Sequence, residues 1–428
     1  MKLHIKNGRV IDPASNLDKQ TDLYVAAGKI AAIGNAPKGF ESAAIIDAGG
    51  CVVAPGLVDL AVRLREPGYE YKATLESEMA AAAAGGVTSL ACPPDTDPPL
   101  DEPGLVEMLK HRARLPEFAH VYPVGALTLG LNGERITEMV ELAEAGCIAF
   151  SQAGTAIVDT QVLLRAMQYA ATFGFAVWLP PVDSHLAKGG VAHDGEVAAR
   201  LGLAGIPVVA ETVALSTMLQ LARETGVRLH VRRISSAAGL EMIEGARAAG
   251  IAVTCDVSIH HLHLCENAIG YFDPLARFDP PLRAQADMQA LRRGLANGAI
   301  NALCSDHTPV DDDGKQVPFA EADPGATGLE LLLPLALRWG RELKLPLAKT
   351  LARVTSDPAR ILGIEAGTLK VGAAADICIF DPEATYRITR ESLKSQGKNT
   401  PFLGSELQGR VRYTLIDGYL AYDGSFPS

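Results

Sequence analysis

Few side chains in this sequence could bind a metal ion or move a proton. Residues 260–265 contain three histidines and a cysteine, Asp306 and His307 follow Cys304 at the end of an apolar run, and His185 lies in a proline-rich segment. Histidine, carboxylate and thiolate are the usual ligands of zinc, so these residues are the candidates for a metal-assisted hydrolase. Within 260–265, neighbouring side chains should alternate in direction, and no acidic residue stands at ligand spacing. We therefore do not expect a metal site in that run alone.

Positive charge marks the end of the first strongly apolar run in the middle of the chain. Residues 56–64 have the pattern of a buried strand, and Arg63, Arg65 and Glu66 bring it to a charged end before a Pro-Gly pair. A strand that opens a long series of alternating strands and helices, and that ends in charge, indicates the mouth of a barrel.

The region between residues 56 and 365 alternates strand and helix. Strands are predicted at 56–64, 87–93, 119–127, 147–152, 175–180, 228–235, 251–257 and 300–305. Helices are predicted between them, for example at 75–84, 105–113, 162–171, 212–225 and 239–249. Eight strands in this alternation predict an α/β fold, a (β/α)8 TIM barrel, whose functional residues lie at the C-terminal strand ends.

Both ends of the chain are rich in short strands. Strand patterns occur at 3–5, 9–11, 23–25, 29–33 and 44–46, and again at 367–369, 375–380 and 412–416. Asp417-Gly418 has the composition of a two-residue hairpin turn. We expect a small β-rich domain built from both termini, residues 1–55 plus 366–428, beside a barrel of residues 56–365.

The composition excludes several classes of protein. The 428 residues are 48% hydrophobic and 21% charged, as in ordinary globular proteins, and suffice for a large core. A net charge of −11 without a basic stripe argues against a nucleic-acid partner. No apolar run has the length of a membrane span, and the N-terminal segment lacks a signal-peptide core, so we expect no membrane partner. The seven scattered cysteines indicate a reduced, cytoplasmic protein.

Several motifs resemble those of one enzyme family. Residues 55–68, PGLVDLAVRLREPG, are similar to the first barrel strand of dihydroorotases and related cyclic amidohydrolases, and further similar motifs follow at 260–262, 279–283, 305–310 and 392–402. The resemblance covers nearly the whole chain, in order. It implies an amidohydrolase barrel, which in active members holds a divalent metal at its mouth and hydrolyses a cyclic amide.

The metal-binding residues of that family are replaced selectively. The family pattern has a His-x-His pair on the first strand, an acid after the fourth, and one histidine on each of the fifth and sixth. The matching positions here are Ala61, Arg63, Gln152 with Ala153, Pro180 and Arg233. Alanine and proline offer no donor, glutamine is a poor zinc ligand, and arginine carries a fixed positive charge. We therefore expect no metal, no other cofactor and no catalytic residue.

Two residues of the family's site remain and a third is altered. Asp306 matches the aspartate that serves the family as metal ligand and general base, and Arg65 matches an anion-binding arginine. Asp95 replaces a substrate-binding asparagine, and its proline-rich surroundings favour a turn with Asx-type hydrogen bonds. His230, three residues before the replaced histidine of strand six, should face the opposite side of that strand. His185 could replace the lost ligand of strand five, although a lone loop histidine is more often solvated.

Two interpretations exist for the arginines at ligand positions. Arg63 and Arg233 stand where the ligands would converge near Asp306, so they could replace the metal as the counter-charge of a buried acid. Alternatively, they point to solvent at the mouth. The sequence does not decide between the two.

The pattern of losses resembles the non-catalytic, dihydroorotase-like chain that some bacteria carry with aspartate carbamoyltransferase. That resemblance implies a structural partner of the transcarbamoylase catalytic chain in a homo- and hetero-oligomer, a dodecamer, of de novo pyrimidine biosynthesis. One alternative is a small-molecule sensor in which Arg65 binds a carboxylate, as in carbamoyl aspartate. The other is an active cyclic amidohydrolase, of dihydroorotase or hydantoinase type, with a rearranged metal site from Asp306, His307, His185, Cys304 and the 260–263 histidines.

Overall fold

The computed structural model describes residues 2–115 and 117–424. Its strands are β1 Lys2–Asp12, β2 Leu17–Ala26, β3 Lys29–Ile33, β4 Ala44–Asp47, β5 Val52–Pro55, β6 Leu57–Asp59, β7 Val87–Cys92, β8 His120–Ala126, β9 Ala149–Ser151, β10 Ala176–Leu179, β11 Ala192–His193, β12 Gly205–Ile206, β13 Arg228–Val231, β14 Val253–Ser258, β15 Ala302–Cys304, β16 Ile377–Arg387, β17 Glu406–Ile416 and β18 Tyr419–Asp423. Its α-helices are α1 Leu75–Ala84, α2 Pro103–Arg112, α3 Met139–Ala145, α4 Thr160–Phe173, α5 Glu196–Leu201, α6 Val209–Thr225, α7 Ala237–Ala248, α8 Ile259–His263, α9 Gln285–Asn297, α10 Leu332–Glu342, α11 Leu347–Ala352 and α12 Ser356–Leu362.

One sheet combines strands from both ends of the chain. Its order is β18-β17-β16-β5-β1-β2-β3, and β4 also pairs with β1. A bulge between Ile5 and Gly8 lets the patterns at 3–5 and 9–11 form a single strand. The buried residues of this sheet form their own core, which includes Leu3, Ile5, Val10, Leu23, Val25, Ile30, Val53, Ile377, Ile379 and Leu415. The predicted β-rich domain from both termini is confirmed, while its limits at 55 and 366 stay a prediction.

The C-terminal strand patterns were predicted with one error. Asp417 and Gly418 have φ of 47° and 75° and join the antiparallel strands β17 and β18, so the predicted hairpin turn is confirmed. Residues 367–369 form a loop instead of a strand. The backbone N–H of Leu369 donates to the buried carboxylate of Asp12 at 3.1 Å. The Leu369 side chain is therefore buried although its backbone pairs with no strand.

The second large sheet is a nearly closed parallel barrel. Its strands follow the order β6-β7-β8-β9-β10-β13-β14-β15. Backbone hydrogen bonds beyond β6 and β15 close the ring, because His307 N donates to Ala61 O at 2.9 Å and Arg63 N donates to His307 O at 3.0 Å. All eight predicted strands overlap observed ones, and the (β/α)8 fold is confirmed.

Helices between the strands cover the outside of the barrel. α1 begins with a capping box in which Thr74 and Ser77 satisfy each other's backbone N–H groups. α4 begins at the N-cap Asp159 and ends at Gly174, which adopts the left-handed conformation. None of the helices in the described ranges is long and apolar enough to cross a bilayer.

Side chains fill the inside of the barrel. A buried cluster there includes Val58, Ala91, Val124, Ala149, Trp178 and Ala302. A filled interior of this kind leaves the C-terminal strand ends as the place where side chains can meet a ligand.

Candidate functional site

The chain beyond β6 carries Arg63 into the barrel mouth. Ala61 is buried and offers only a methyl group. The Arg63 side chain is 12% exposed, and its Nε donates to Asp95 Oδ2 at 2.7 Å. Its Nη1 donates to Thr308 Oγ1 at 2.9 Å and lies 3.8 Å from Asp306 Oδ1. Arg63 therefore points inward, as the counter-charge interpretation predicts, and not to solvent.

Asp95 is an ion-pair partner, so the expected Asx-type turn is wrong. Its carboxylate accepts a hydrogen bond from Arg63 Nε at 2.7 Å, and the Asp95 side chain is 27% exposed. Burial alone would raise the pKa of Asp95, but the charges of Arg63 and Arg65 outweigh burial and lower it. The carboxylate stays charged and neutralises one arginine of the mouth.

Arg233 and Asp306 form a buried ion pair. Arg233 Nη1 lies 3.0 Å from Asp306 Oδ1, and the two side chains are 4% and 3% exposed. The same Nη1 donates to the carbonyl of Asp279 at 2.8 Å. Burial raises the pKa of Asp306, and the positive charges of Arg233 and Arg63 oppose that rise. A guanidinium thus occupies the position where the family pattern has a metal-binding histidine.

The backbone at the strand ends adopts conformations that are rare for residues with a side chain. Arg65, Ala153, Arg233 and Asp306 have φ of 63°, 52°, 54° and 49°. Such left-handed residues persist where the surrounding structure fixes them, and they are frequent at functional sites. At Arg233 and Asp306, they turn consecutive side chains out of the strand alternation and toward the mouth.

His230 and Arg233 both face the inside of the barrel, so the expectation that they face opposite sides is wrong. β13 ends at Val231, and the left-handed conformation of Arg233 breaks the alternation. His230 Nε2 lies 3.0 Å from Asp256 Oδ2, and the backbone N–H of Arg233 donates to Asp256 Oδ1 at 2.6 Å. The His230 ring lies 4.7 Å from that of Trp178 inside the barrel.

Arg232 is the residue of this site that sequence reasoning missed. Its side chain is 1% exposed, and its Nε and Nη1 have no hydrogen-bond partner among the described residues. Burial and the nearby charges of Arg233 and Arg63 lower its pKa to about 10, so it remains charged at neutral pH. The strand pattern held a usable signal, since Arg232 is two residues from His230 and shares its side of the strand.

The ends of the fourth and fifth barrel strands offer no free ligand. Gln152 exchanges hydrogen bonds with the hydroxyl of Thr128, at 2.8 and 3.0 Å. Ala153 and Pro180 are buried and have no donor side chain. These three residues therefore form part of the wall of the mouth and present no free atom that could bind a metal.

The residues of the alternative metal site are held apart by other partners. His307 Nε2 lies 2.5 Å from Glu78 Oε2 in a fully buried pair. His185 is exposed in a loop, and its backbone N–H donates to Asp183. Burial raises the pKa of the Cys304 thiol well above its usual value, which keeps it protonated.

The histidine run lies on the short helix α8 and not on a strand. His261 Nε2 donates to the carbonyl of Pro281 at 3.2 Å, and His263 Nε2 donates to the carbonyl of Leu335 at 2.9 Å. Burial lowers the pKa of both histidines to about 4. These neutral imidazoles bind backbone carbonyls in different directions, so they tie α8 to the loop at Pro281 and to α10 at Leu335.

A divalent ion does not fit the donor set of the mouth. Asp306 is the retained carboxylate of the family pattern, and it is hydrogen-bonded to Arg233. A catalytic zinc site needs three protein ligands, and nearby guanidinium groups repel a cation. Across residues 2–115 and 117–424, the one cluster of three potential ligand atoms is formed by His120, Asp376 and Asp417. His120 begins β8, so that cluster lies at the opposite end of the barrel.

Two cavities share Arg233 in their walls. The outer cavity has a volume of about 220 Å³, and Arg63, Arg65 and Lys72 also line it. Arg65 Nε donates to Pro309 O at 2.9 Å, and burial lowers the pKa of Arg65 to about 10. The inner cavity has a volume of about 30 Å³ and is lined by Arg232, Arg233, Pro180, Pro181, Pro280 and Pro281, among others.

Comparison with known proteins identifies the family. The family model described as Dihydro-orotase-like matches residues 50–238. A Dihydroorotase-like protein from Pseudomonas aeruginosa is 49% identical over 424 residues, which cover 99% of this chain and 100% of that protein. The chain belongs to the dihydroorotase-like family.

A more distant relative and a solved structure agree with this assignment. A Dihydroorotase from Geotalea daltonii is 41% identical over 99% of this chain and 99% of that protein. The solved structure of an L-hydantoinase (dihydropyrimidinase) from Arthrobacter aurescens has a TM-score of 0.87 and 26% identity, and the match covers 98% of this chain and 96% of that chain. The chain thus shares the fold of this hydantoinase over 98% of its length. Arg63 and Arg233 at the barrel mouth are the feature that a proposed function has to explain.

Proposed function

We propose that this chain is a catalytically inactive member of the dihydroorotase-like family that acts as a structural subunit of aspartate carbamoyltransferase. The observation that carries the inactivity is the buried pair of Arg233 and Asp306 at 3.0 Å, with Arg63 at 3.8 Å from the same carboxylate oxygen. The carboxylate that serves the family as general base is here the partner of two guanidinium groups.

The chemistry of amide hydrolysis supports this proposal. Without a metal, water keeps a pKa of about 15.7 instead of about 7 on zinc, so a carboxylate has no acidified water to deprotonate. The guanidinium groups of Arg63 and Arg233 cannot accept a proton and offer no free lone pair to a metal. Turnover of an unactivated cyclic amide therefore has neither a nucleophile nor a general base in this mouth.

The partner follows from the resemblance to the non-catalytic chain that accompanies aspartate carbamoyltransferase in some bacteria. The 49% identical relative is named Dihydroorotase-like protein and not Dihydroorotase, and this name supports the proposal. The barrel fold is intact although the metal-binding side chains of its mouth are missing, and an intact fold can serve as a structural subunit without catalysis. We therefore place the chain in a mixed oligomer with the transcarbamoylase catalytic chain in de novo pyrimidine biosynthesis.

Co-expression with a transcarbamoylase catalytic chain from the same organism tests the assembly role. We expect one joint particle by size-exclusion chromatography with light scattering, and transcarbamoylase activity that falls sharply when this chain is omitted. An active dihydroorotase of similar size, expressed in place of this chain, is the control for general solubilisation. A transcarbamoylase that assembles and works fully alone, with no joint particle, would contradict the proposal.

An active cyclic amidohydrolase remains the second candidate, because Asp306 is retained and a 41% identical relative is named Dihydroorotase. Turnover assays on dihydroorotate and on a hydantoin, with zinc added, test it directly. Our proposal predicts no turnover above that of a sample with Asp306→Asn. Zinc-dependent turnover that this substitution abolishes would establish the enzyme instead.

A further inference from the structure

Arg232 and Arg233 line one small cavity, and both have guanidinium nitrogens without a hydrogen-bond partner among the described residues. Nε and Nη1 of Arg232 have no hydrogen-bond partner in the described part of the chain, and neither has Nε of Arg233. Both side chains are nearly fully buried, and both line the inner cavity. Each of the two arginines therefore lines the cavity and also has guanidinium nitrogens for which no described residue supplies an acceptor.

An unpaired buried cation is costly, so its donors call for an acceptor. Desolvation of a charged group is repaid only by hydrogen bonds or a counter-charge. The acids whose negative charges act on Arg232 already accept hydrogen bonds from other groups, since Asp95 accepts from Arg63 Nε and Asp256 accepts from the backbone N–H of Arg233. Within the described residues, Nε and Nη1 of Arg232 therefore have no acceptor, and one would have to come from a molecule outside the chain.

The shape of the inner cavity selects the kind of molecule. Its volume of about 30 Å³ exceeds the roughly 10–15 Å³ that one water needs, and suits a group of a few atoms. Pro180, Pro181, Pro280 and Pro281 form apolar walls without N–H donors. A carboxylate matches the planar guanidinium with two oxygens, and a short hydrocarbon part matches the proline walls.

We propose that the barrel mouth binds a small organic carboxylate whose oxygens accept hydrogen bonds from Arg232 and Arg233 in the inner cavity. This site differs from Arg65, the anion-binding position that the family resemblance implies, which lines the outer cavity. The ligand goes beyond the role as a structural subunit, because assembly by itself requires nothing at the mouth. A site for a cation has become a site for an anion.

The other charged groups around the cavity leave room for this ligand. Three arginines, Arg232, Arg233 and Arg283, line the cavity against two acids, Glu211 and Asp279, so the charge around it is positive on balance. The carboxylate of Glu211 already accepts hydrogen bonds from the backbone N–H and the hydroxyl of Ser235. Arg283 donates to Ile206 O and to Ser235 Oγ. Asp279 is an exposed residue at the rim, where solvent and salt screen its repulsion of an anion.

Isothermal titration calorimetry on the full chain tests the site with acetate and propionate as probes, and with acetamide and propionamide as neutral controls, at constant ionic strength. We expect saturable binding of the carboxylates, one per chain, and none of the amides. Arg232→Met keeps an apolar stem and removes the donors, and it should weaken carboxylate binding about tenfold or more. Arg232→Lys, which keeps the charge and loses the planar fork, should give intermediate binding and carries the test if the methionine variant does not fold.

Arg65→Met is the matched control, because it removes an arginine from the outer cavity. Binding should survive this substitution with little change. Carboxylate binding that is lost in Arg65→Met and kept in Arg232→Met would place the anion in the outer cavity and overturn the proposal. Equal binding of amides and carboxylates, or no saturable binding of either, would overturn it as well.

Discussion

The two ends of the barrel handle charge in opposite ways. At the C-terminal mouth, Asp306 is buried and paired with the fixed charge of Arg233 at 3.0 Å. At the N-terminal end, His120 lies 3.2 Å from Asp376 and 3.7 Å from Asp417 in a partly exposed, titratable cluster. The mouth, where enzymes of this fold have their active sites, carries positively charged side chains. The opposite end carries a histidine and two aspartates, which are residue types that commonly bind metal ions. Residue type alone therefore does not locate a site; position on the barrel and the neighbouring charges do.

The comparison also separates permanent from conditional interactions. A guanidinium keeps its charge at every physiological pH, so the mouth pair persists wherever Asp306 is ionised. The histidine cluster depends on a proton, so its contribution to stability should change with pH. Substitutions at each end should show this difference in size and in pH dependence.

Removal of Arg233 should have the largest effect. Arg233→Ala leaves the carboxylate of Asp306 buried without its closest partner, which typically costs about 3–5 kcal/mol. Thermal and urea unfolding measure the loss of stability. Arg360→Ala is the control, because Arg360 is 73% exposed and should matter little. The double variant Arg233→Ala/Asp306→Asn should regain part of the lost stability, because it removes the buried charge as well. Equal stability of Arg233→Ala and Arg360→Ala would contradict the contrast between the two ends of the barrel.

Removal of Arg63 should cost less, about 2–3 kcal/mol, because Arg63 is partly exposed and Asp306 keeps Arg233. The loss comes mainly from Asp95, which then lies in the mouth without its hydrogen-bonded partner. Unfolding of Arg63→Ala, and of Arg63→Ala with Asp95→Asn, measures it. Stability equal to that of the unmodified chain would mean that Arg63 does not serve as a counter-charge.

Substitution of His120 should have the smallest effect and the clearest pH dependence. The hydrogen bond with Asp376 raises the pKa of His120 despite burial. Its stabilising contribution is therefore complete below the unfolded value of about 6.5 and is lost as pH rises through the higher folded value. His120→Gln should lose about 0.5–1 kcal/mol at low pH and little at about pH 9. His111→Gln, a histidine in the exposed face of α2, is the control, and a loss that grows with pH would contradict the assignment.

Strand positions and the fold could be predicted from the sequence because they depend on apolar periodicity. The barrel strands and the hairpin at Asp417-Gly418 follow from alternation and turn composition, and the structure has them in place. The missing ligands at Ala61 and Pro180 could be predicted too, because a side chain without a donor has none in any fold.

The errors arose where the backbone leaves regular geometry. Arg233 adopts φ of 54°, which no strand pattern announces, and this places it on the same side as His230. Asp95 is paired with Arg63 across 32 positions of sequence, which local turn chemistry does not reveal. The unpaired donors of Arg232 depend on what every neighbour bonds to, and only the three-dimensional structure gives that information.

The central claim is that the barrel mouth does not hold a divalent metal ion. Elemental analysis of the purified chain tests it most directly when a variant at each end of the barrel is included. The measurement compares the unmodified chain with His120→Ala and Asp306→Asn after zinc loading and dialysis. We predict that the His120→Ala chain retains well below one zinc ion per chain. The zinc content of the Asp306→Asn chain should equal that of the unmodified chain. A full zinc ion retained in His120→Ala and lost in Asp306→Asn would show a metal in the mouth and contradict the account.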